Sequence, residues 1–285
     1  MPSYISLLKE GCRILNPLLG QLSKPYVEAM LLDVVGVSRE EFLCRLREEC
    51  SDVLVHSFFE KIRRLESGEP LAYILGKTDF LGTEYFVSPG VLIPRPETEQ
   101  LVCLVEDVFK RKQWSQGTVF ELGYGSGVIS LELAKRLPKS TFFGWDISEM
   151  AHQVGSENYR RSGVSNVTFY HEDFFSEKAL WRSFNDRPVV IVSNPPYIQT
   201  KIIDSLDKSV RDYEPFEALC GGDDGLDYYR RFKQCLPHCD VMVFEIGYDL
   251  REDLVKVFQD VDWTLSFEKD FSGLDRFMVL IKDPF

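Results

Sequence analysis

The sequence predicts a two-part protein in which a small all-α bundle precedes an α/β domain built on a mostly parallel sheet. The chain has 285 residues, more than the roughly 100–200 usual for one domain. Residues 1 to about 80 show only helical periodicity. After residue 117, short apolar strands alternate with helical segments, a pattern that builds a sheet covered by helices on both faces.

Two apolar stripes and one capping box mark the N-terminal bundle. A helix is expected to begin near Pro25 and to end at Gly36, and Ser38 with Glu41 forms a capping box for the next helix. The apolar positions at helical spacing are Val27, Met30, Leu31 and Val34, then Phe58, Ile62 and Leu65. No catalytic constellation falls here, so residues 1–78 are predicted to form a domain that packs or docks a partner.

Alternating apolar stretches predict a β-hairpin linker over residues 79–95, with turns at Gly82 and Ser88-Pro89-Gly90. The catalytic domain is expected to cover residues 96–285 and to open with a helix after Pro96. Its other predicted helices are Val128–Leu137 and one from Ser148. The predicted strands are Thr118–Leu122, Thr141–Trp145, Val167–Tyr170, Val189–Ser193, Val241–Ile246, Thr264–Phe267 and Arg276–Ile281, the last two as an antiparallel pair.

The charge balance restricts the partners of this protein. Lys and Arg number 33 against 45 Asp and Glu, for a net charge of -12, and nearly all of the excess lies after residue 80. Because nucleic acids are held mainly by basic side chains, this balance disfavours direct nucleic-acid binding. No apolar run approaches the roughly 18 residues of a membrane span, and no secretory signal is evident. We therefore expect a cytoplasmic monomer without membrane contact, or an organellar protein in a eukaryote.

The cysteines give no sign of a disulfide framework or a metal site. The chain has seven of them, an odd number without regular spacing, so reduced thiols are expected. One local cluster, Cys235-x-x-His238-Cys239, lacks further ligands at paired spacing. No metal is predicted.

A glycine-rich turn follows the strand Thr118–Leu122 and leads into a helix. Gly123, Gly125 and Gly127 alternate with Tyr124 and Ser126. Glycines let the backbone approach a ligand closely, and the helix N-terminus offers free N–H groups. The dinucleotide fingerprint needs a glycine at its sixth place, where this chain has a valine. The turn therefore favours S-adenosylmethionine over a nicotinamide dinucleotide.

Two carboxylates end the next two predicted strands. Asp146 can accept hydrogen bonds from ribose hydroxyls, as it would for either cofactor. Asp173 stands beside Phe174, and this pair can hold an adenine amino group and cover the ring. An open α/β sheet binds its ligand at the carboxyl ends of its strands, so all three features are expected to meet there.

The tetrapeptide Asn194-Pro195-Pro196-Tyr197 follows the apolar strand Val189–Ser193. Its two prolines hold the loop in one conformation. The Asn194 amide oxygen and the Pro195 carbonyl can each accept a hydrogen of one NH₂ group, while Tyr197 offers a flat face to a planar substrate. Such a loop would aim a planar nitrogen at a methyl sulfonium, which is catalysis by positioning. By itself the tetrapeptide could equally be an ordinary turn.

Together these motifs resemble the class I methyltransferases that modify planar amide or amino nitrogens. From about residue 69 to the end, further stretches resemble the peptide chain release factor glutamine methyltransferases, the HemK/PrmC family. These stretches are Glu69–Gly76, Val91–Glu99, Glu214–Leu219, Gly221–Leu226 with Tyr229 and Arg230, Glu245–Gly247 and Asp270–Arg276.

The resemblance implies a class I, Rossmann-like fold with a seven-stranded sheet. It also implies methyl transfer from S-adenosylmethionine to the N5 nitrogen of the glutamine in a release factor's Gly-Gly-Gln motif, leaving S-adenosyl-L-homocysteine. The helical domain would help to dock the release factor.

On the same analogy the catalytic residues are Asn194, Pro195, Pro196 and Tyr197, and the first two bind the glutamine amide. The cofactor-binding residues are Gly123, Tyr124, Gly125, Ser126 and Gly127 at the methionine part, Asp146 at the ribose, Asp173 and Phe174 at the adenine, and Asn194. The chain departs from the family pattern at Glu121, Tyr124 and Phe174, where aspartate, threonine and tryptophan are usual.

Two other functions remain open on the sequence. A DNA adenine-N6 methyltransferase can carry the same tetrapeptide, but it must extrude its base into a basic cleft, which the acidic balance disfavours. A non-catalytic S-adenosylmethionine-binding module would keep the glycine turn and would bind without turnover.

Overall fold

The computed structural model describes residues 1–176 and 188–282. It divides into two compact units. The first, here called the helical unit, comprises residues 1–76 and 208–213, and the second, the sheet unit, comprises residues 77–207 and 214–285. Residues 208–213 thus belong with the helical unit although their neighbours in sequence belong to the sheet unit.

The helices in chain order are α1 (Tyr4–Leu19), α2 (Ser23–Val35), α3 (Arg39–Cys44), α4 (Asp52–Glu66), α5 (Leu71–Leu75), α6 (Pro96–Arg111), α7 (Val128–Arg136), α8 (Glu149–Ser162), α9 (Thr200–Ile203), α10 (Lys208–Arg211), α11 (Phe216–Leu219), α12 (Asp227–Phe232) and α13 (Arg251–Phe258). The strands are β1 (Lys77–Phe80), β2 (Thr83–Phe86), β3 (Thr118–Leu122), β4 (Thr141–Asp146), β5 (Val167–His171), β6 (Val189–Ser193), β7 (Val241–Glu245), β8 (Trp263–Lys269) and β9 (Asp275–Lys282). Short 3-10 helices cover Gly20–Leu22 and Lys233–His238.

The helical unit buries the apolar positions that its sequence predicts, except Val34, which is only half-buried. Its core includes Val27, Met30, Leu31, Phe58, Ile62 and Leu65. The Ser38 hydroxyl accepts a hydrogen bond from the Glu41 amide at 3.2 Å and so caps α3. Helix α2 begins two residues before Pro25, so the prediction that this proline opens the helix was wrong.

The segment of residues 208–213 contacts the chain just after α4 through two of its side chains. The Tyr213 hydroxyl donates to the Ser67 carbonyl at 3.2 Å and lies 3.0 Å from the Ser67 hydroxyl. The stem of Lys208 passes close to Gly68. These contacts make the segment part of the helical unit.

The hairpin of β1 and β2 is antiparallel and closes on the two residues Leu81 and Gly82. Both have positive φ, of 52° and 76°, as a tight two-residue hairpin turn requires. Such a backbone is unfavourable for leucine. The Leu81 amide donates to the Glu99 carboxylate at 2.9 Å, which stabilises the turn from within the sheet unit.

Seven strands form the main sheet of the described residues, in the order β5-β4-β3-β6-β7-β9-β8. The first five are parallel and the last two pairings are antiparallel. Every residue of β3, β6 and β7 is buried, as expected for central strands covered by helices on both faces. The α/β prediction with a mostly parallel seven-stranded sheet is confirmed.

Side chains of successive strand residues enter two separate cores. On β6, Ile191 packs in the core with Trp145 and Phe244, whereas Val190 and Val192 pack in the core on the opposite face. This follows from the two-residue period of a strand. The sheet is therefore held from both sides by apolar packing.

The main difference from the sequence prediction lies between residues 200 and 258. Helices α9, α10 and α11 have only four residues each, too few to show a 3.6-residue period. Helix α13 is longer than these three, and the sequence analysis did not predict it either. The strands, by contrast, match within one or two residues at each end.

Cys235 and Cys239 lie in the apolar core of the sheet unit. The Cys239 thiol donates to the Cys235 carbonyl at 3.5 Å. Among residues 1–176 and 188–282, no group of three or more His, Cys, Asp or Glu side chains could hold a metal ion. None of the helices in those ranges is long and apolar enough to span a bilayer.

Replacing Ile191 with alanine should destabilise the sheet unit by about 2–5 kcal/mol, because it opens a cavity in the central strand β6. Urea unfolding followed by tryptophan fluorescence measures this. The control is Val255→Ala on α13, where the side chain is 44% exposed, and it should cost less than about 1 kcal/mol. Equal losses in the two variants would contradict the assigned core.

Candidate active site

A cavity of about 420 Å³ opens at the carboxyl ends of β3, β4, β5 and β6. The strand order reverses between β3 and β6, and open parallel sheets form their ligand crevice at such a point. The cavity is lined by residues of the sheet unit, which include Gly90–Leu92, Pro94, Thr98, Glu121–Ser126, Trp145–Ser148, Glu172–Phe175, Ser193–Pro196, Pro215, Tyr228, Arg231 and Phe232.

The glycine turn after β3 has the left-handed backbone that only glycine adopts readily. Gly123 has a φ of +69°, and a Cβ there would meet nothing within 4 Å. Gly127 has a φ of +79°, and a Cβ there would lie 2.6 Å from the Phe169 ring. A side chain is therefore excluded at Gly127 by packing, whereas at Gly123 its absence leaves open space for a ligand.

Asp146 holds this turn in place from the end of β4. One of its carboxylate oxygens accepts a hydrogen bond from the Gly125 amide and the other from the Ser148 amide, both at 2.9 Å. Burial raises the pKa of the Asp146 carboxyl, an effect that these two bonds oppose. Each oxygen has a second lone pair, so the carboxylate can also accept from hydroxyl groups in the cavity.

Tyr124 and Ser126 line the cavity but have further roles in packing. The Tyr124 ring is buried and stacks on Phe169 with 4.3 Å between centroids, and its hydroxyl lies 2.9 Å from His152 Nδ1. The Ser126 carbonyl accepts a hydrogen bond from the Asn158 side chain at 2.9 Å. The sequence did not predict that the Tyr124 phenol would be fixed in the core beneath the turn.

Asp173 and Phe174 follow β5 at the other end of the cavity. The Asp173 carboxylate accepts from the Phe175 amide at 2.9 Å and lies 3.5 Å from the Arg231 guanidinium. The Phe174 ring is buried and meets Trp145 edge to face at 5.2 Å. Phe175, which was not predicted, also lines the cavity and carries Arg231 over its ring.

The Asn194 to Tyr197 loop is held against the sheet and its neighbours by backbone contacts. The Ser193 hydroxyl donates to the Leu122 carbonyl at 2.6 Å, which joins the loop to the glycine turn. Gly225 approaches so closely that a Cβ there would lie 2.4 Å from the Tyr197 carbonyl oxygen. The structure thus brings Asn194, Pro195 and Pro196, the turn and Asp146 to one cavity, whereas Tyr197 is not among the lining residues.

Two residues behind this loop were not assigned a role from the sequence. Asn194 Nδ2 donates to Thr98 Oγ1 at 3.1 Å, and Thr98 Oγ1 donates to Glu245 Oε2 at 2.7 Å. The Tyr197 hydroxyl donates to the other Glu245 oxygen at 3.2 Å. Burial raises the pKa of the Glu245 carboxyl to about 7. The sequence did contain one signal for Glu245, because a carboxylate at the end of an otherwise apolar strand is unusual.

Glu121 is a second buried acid at the cavity wall. Its Oε2 accepts from the Ser130 amide at 2.9 Å, whereas its Oε1 is buried without a partner. Burial raises the pKa of Glu121 to about 8. An uncompensated carboxylate oxygen at the wall is suited to a ligand that carries positive charge.

The cavity therefore suits a particular kind of ligand. Within the part of the chain that the structure describes, its ionisable lining consists of five carboxyl groups, from Glu121, Asp146, Glu172, Asp173 and Glu217, and one guanidinium, from Arg231. This set disfavours a pyrophosphate and favours a cationic ligand with hydroxyl groups and a flat aromatic part. S-adenosylmethionine has these properties.

Comparison with known proteins gives two family matches. Residues 7–76 match the PrmC N-terminal domain, and residues 102–208 match the methyltransferase small domain. The release factor glutamine methyltransferase of Bacillus cereus is 36% identical over 256 residues, covering 87% of this chain and 89% of that protein. The Bacillus subtilis protein of that name is 34% identical over 259 residues, covering 87% and 88%.

Among solved structures, the hMettl16 catalytic domain covers 82% of this chain and 85% of its own with a TM-score of 0.54. Its sequence is 12% identical, so the likeness concerns the fold alone.

The two buried acids predict how stability depends on pH. Glu121 and Glu245 have folded-state pKa values of about 8 and about 7, well above the roughly 4.3 of an unfolded glutamate. Between these limits the folded state holds more protons, so the free energy of unfolding should fall by up to about 1.4 kcal/mol per pH unit for each group. Both groups contribute as the pH rises from about 5 to 7, and Glu121 alone continues the fall from 7 to 8.

Calorimetric melting temperatures at these pH values measure the effect. The variant Glu121→Gln should show a shallower fall, because its amide does not titrate. The exposed control Glu149→Gln should keep the slope of the wild type. A melting temperature that rises across this range would contradict the burial of both acids.

Proposed function

The chain belongs to the family of release factor glutamine methyltransferases, and we propose that it methylates the N5 nitrogen of the glutamine in the Gly-Gly-Gln motif of peptide chain release factors, with S-adenosylmethionine as the methyl donor. One observation carries the proposal. Asn194, Pro195 and Pro196 of the rigid loop line the same cavity as the glycine turn and Asp146. Donor site and acceptor site are thereby adjacent.

The residues around the cavity fit S-adenosylmethionine in chemistry as well as in position. Gly123 to Gly127 would lie along its methionine part, Asp146 would accept from the ribose hydroxyls, and Asp173 with Phe174 would flank the adenine. The partnerless Glu121 oxygen and the acidic lining are suited to its positive charges. When bound, S-adenosylmethionine supplies a methyl group on a sulfonium, which is electrophilic.

The chain's own residues then act by positioning the acceptor. The Asn194 amide oxygen and the Pro195 carbonyl each accept one hydrogen of the glutamine NH₂ group, and Tyr197 packs against the amide plane. Pro196 keeps the loop rigid. These contacts aim the nitrogen lone pair at the methyl carbon. With the donor bound, the nitrogen would gain the methyl group as the carbon–sulfur bond breaks and would release one hydrogen as a proton to water, and S-adenosyl-L-homocysteine would be the second product.

The helical unit is proposed to dock the release factor, in line with its match to the PrmC N-terminal domain. We propose that the enzyme acts as a monomer on a protein loop, without direct contact to nucleic acid, in the compartment where translation terminates. That compartment is the cytoplasm, or an organelle in a eukaryotic cell. The acidic balance of the chain supports a basic protein partner over duplex DNA.

Transfer of labelled methyl groups from S-adenosylmethionine tests the substrate. Wild-type release factors should become labelled, whereas variants with alanine in place of the motif glutamine should not, because they lack the accepting amide. Duplex DNA serves as the competing substrate. Label on DNA or on the alanine variants, with none on wild-type factors, would contradict the proposal. Cofactor binding without any turnover would support a non-catalytic module instead.

Asn194→Ala should reduce kcat by about 100-fold or more while leaving the Kd of S-adenosylmethionine within about threefold of the wild type, because its proposed contact is with the substrate. Single-turnover kinetics and calorimetric titration measure the two quantities. The matched control is Asn166→Ala. Asn166 lies just before β5, at the amino ends of the strands, whereas the cavity lies at their carboxyl ends. Its side chain donates to the Ser140 carbonyl.

Asn166→Ala should keep wild-type kcat. Equal loss of turnover and cofactor affinity in Asn194→Ala would show that Asn194 acts only through the cofactor and would overturn its proposed contact with the substrate amide.

A further inference from the structure

We infer that Thr98 and Glu245 are positioning residues for methyl transfer, which fix the Asn194 side-chain amide in the one orientation that presents its oxygen to the substrate. The inference rests on the proposed function. It adds to that function a chain of hydrogen bonds running from a buried carboxylate to the substrate-binding amide.

Three distant parts of the chain meet to form this network. Thr98 lies in the first turn of α6, Asn194 in the loop after β6, and Glu245 at the end of β7. The distances are 3.1 Å from Asn194 Nδ2 to Thr98 Oγ1 and 2.7 Å from Thr98 Oγ1 to Glu245 Oε2. Thr98 is 3% exposed and Glu245 is 1% exposed, so water does not compete freely for these bonds.

The direction of each bond follows from the chemistry of the last acceptor. An ionised carboxylate can only accept, so the Thr98 hydroxyl must give its hydrogen to Glu245. Thr98 Oγ1 can then only accept a hydrogen bond from Asn194. The Asn194 atom that faces it must therefore be the NH₂ nitrogen, because the amide oxygen cannot donate. The Asn194 oxygen consequently faces the other way, free to accept from a substrate.

Reversal of this amide would be harmful to the reaction. An Asn194 side chain turned by 180° would place its NH₂ group against the NH₂ group of the glutamine, so that two donors face each other. The nitrogen to be methylated would lose one of the two acceptors that orient it. Loss of the Thr98 hydroxyl, or of the Glu245 charge, removes the constraint that prevents this reversal.

Glu245 also fixes the other end of the loop and is itself held by several elements. The Tyr197 hydroxyl donates to Glu245 Oε1, and the Tyr229 hydroxyl donates to the Glu245 carbonyl at 2.8 Å. The Arg276 guanidinium on β9 and the Glu97 carboxylate on α6 act electrostatically on the Glu245 carboxyl, the first favouring and the second disfavouring its charged form. One carboxylate thus positions both Asn194 and Tyr197.

Three threonine variants test the inference. Thr98→Val keeps the shape of the side chain without its hydroxyl, and it should lower kcat by about 10- to 100-fold with an unchanged Kd for S-adenosylmethionine. Thr98→Ser restores the hydroxyl and should recover most of the activity. The control Thr118→Val alters a buried threonine at the far end of β3 and should keep wild-type kcat.

Wild-type kcat in Thr98→Val would overturn the inference. Equal loss in Thr98→Ser and Thr98→Val would overturn it too, because it would indicate a packing role for the side chain.

The pH profile of kcat provides a readout that packing alone would not move. The pKa of Glu245 is about 7, so wild-type kcat should fall as the pH drops below about 7 and the carboxyl becomes neutral. The variant Glu245→Gln should have a lower kcat than the wild type, and its pH profile should lack this inflection. An inflection that persists in Glu245→Gln would overturn the inference.

A third readout separates this inference from the proposed function. In ¹⁵N-labelled protein without substrate, the Asn194 side-chain amide should exchange slowly with water in the wild type and at least about tenfold faster in Thr98→Val. If wild-type enzyme methylates no release factor, the proposed function fails while this measurement still decides whether the network holds the amide. Equal exchange rates would overturn the network.

Discussion

The reversal of strand order between β3 and β6 is the constraint on which the site depends. The two strands are parallel neighbours, and the connections that leave their carboxyl ends diverge, so an opening forms between the glycine turn and the Asn194 loop. The Ser193 hydroxyl bridges this opening at its base by donating to the Leu122 carbonyl. Because both neighbouring strands are wholly buried, the spacing across the opening is set by the sheet itself.

Desolvated carboxyl groups are the second theme of the site. Glu121, Asp146 and Glu245 all lie at the carboxyl ends of sheet strands, where the folded chain surrounds them with apolar side chains. Each has a raised pKa because of burial. Desolvated carboxylates of this kind cost stability, and they are retained where they have chemistry to perform. Here they accept from backbone amides, which include that of Gly125 in the turn, and from the Thr98 hydroxyl.

How far the sequence predicts this protein depends on the range of each interaction. The strand Val189–Ser193 is predictable because a buried parallel strand is a short apolar run. The turn from Gly123 to Gly127 is predictable because a tight turn beside a ligand needs glycines, which here occupy every second position. Thr98 and Glu245, in contrast, are 147 positions apart and joined by one hydroxyl. No periodicity reports such a contact. The burial of the Tyr124 phenol depends in the same way on Phe169, a residue from another strand.

Because residues 208–213 belong to the helical unit, no single continuous gene segment encodes that unit alone. The chain passes between the two units three times, at residues 76–77, 207–208 and 213–214. A gene segment ending at residue 76 would therefore encode an incomplete helical unit, without Tyr213 and its contact to Ser67. Exchange of this unit between related enzymes needs two coordinated replacements.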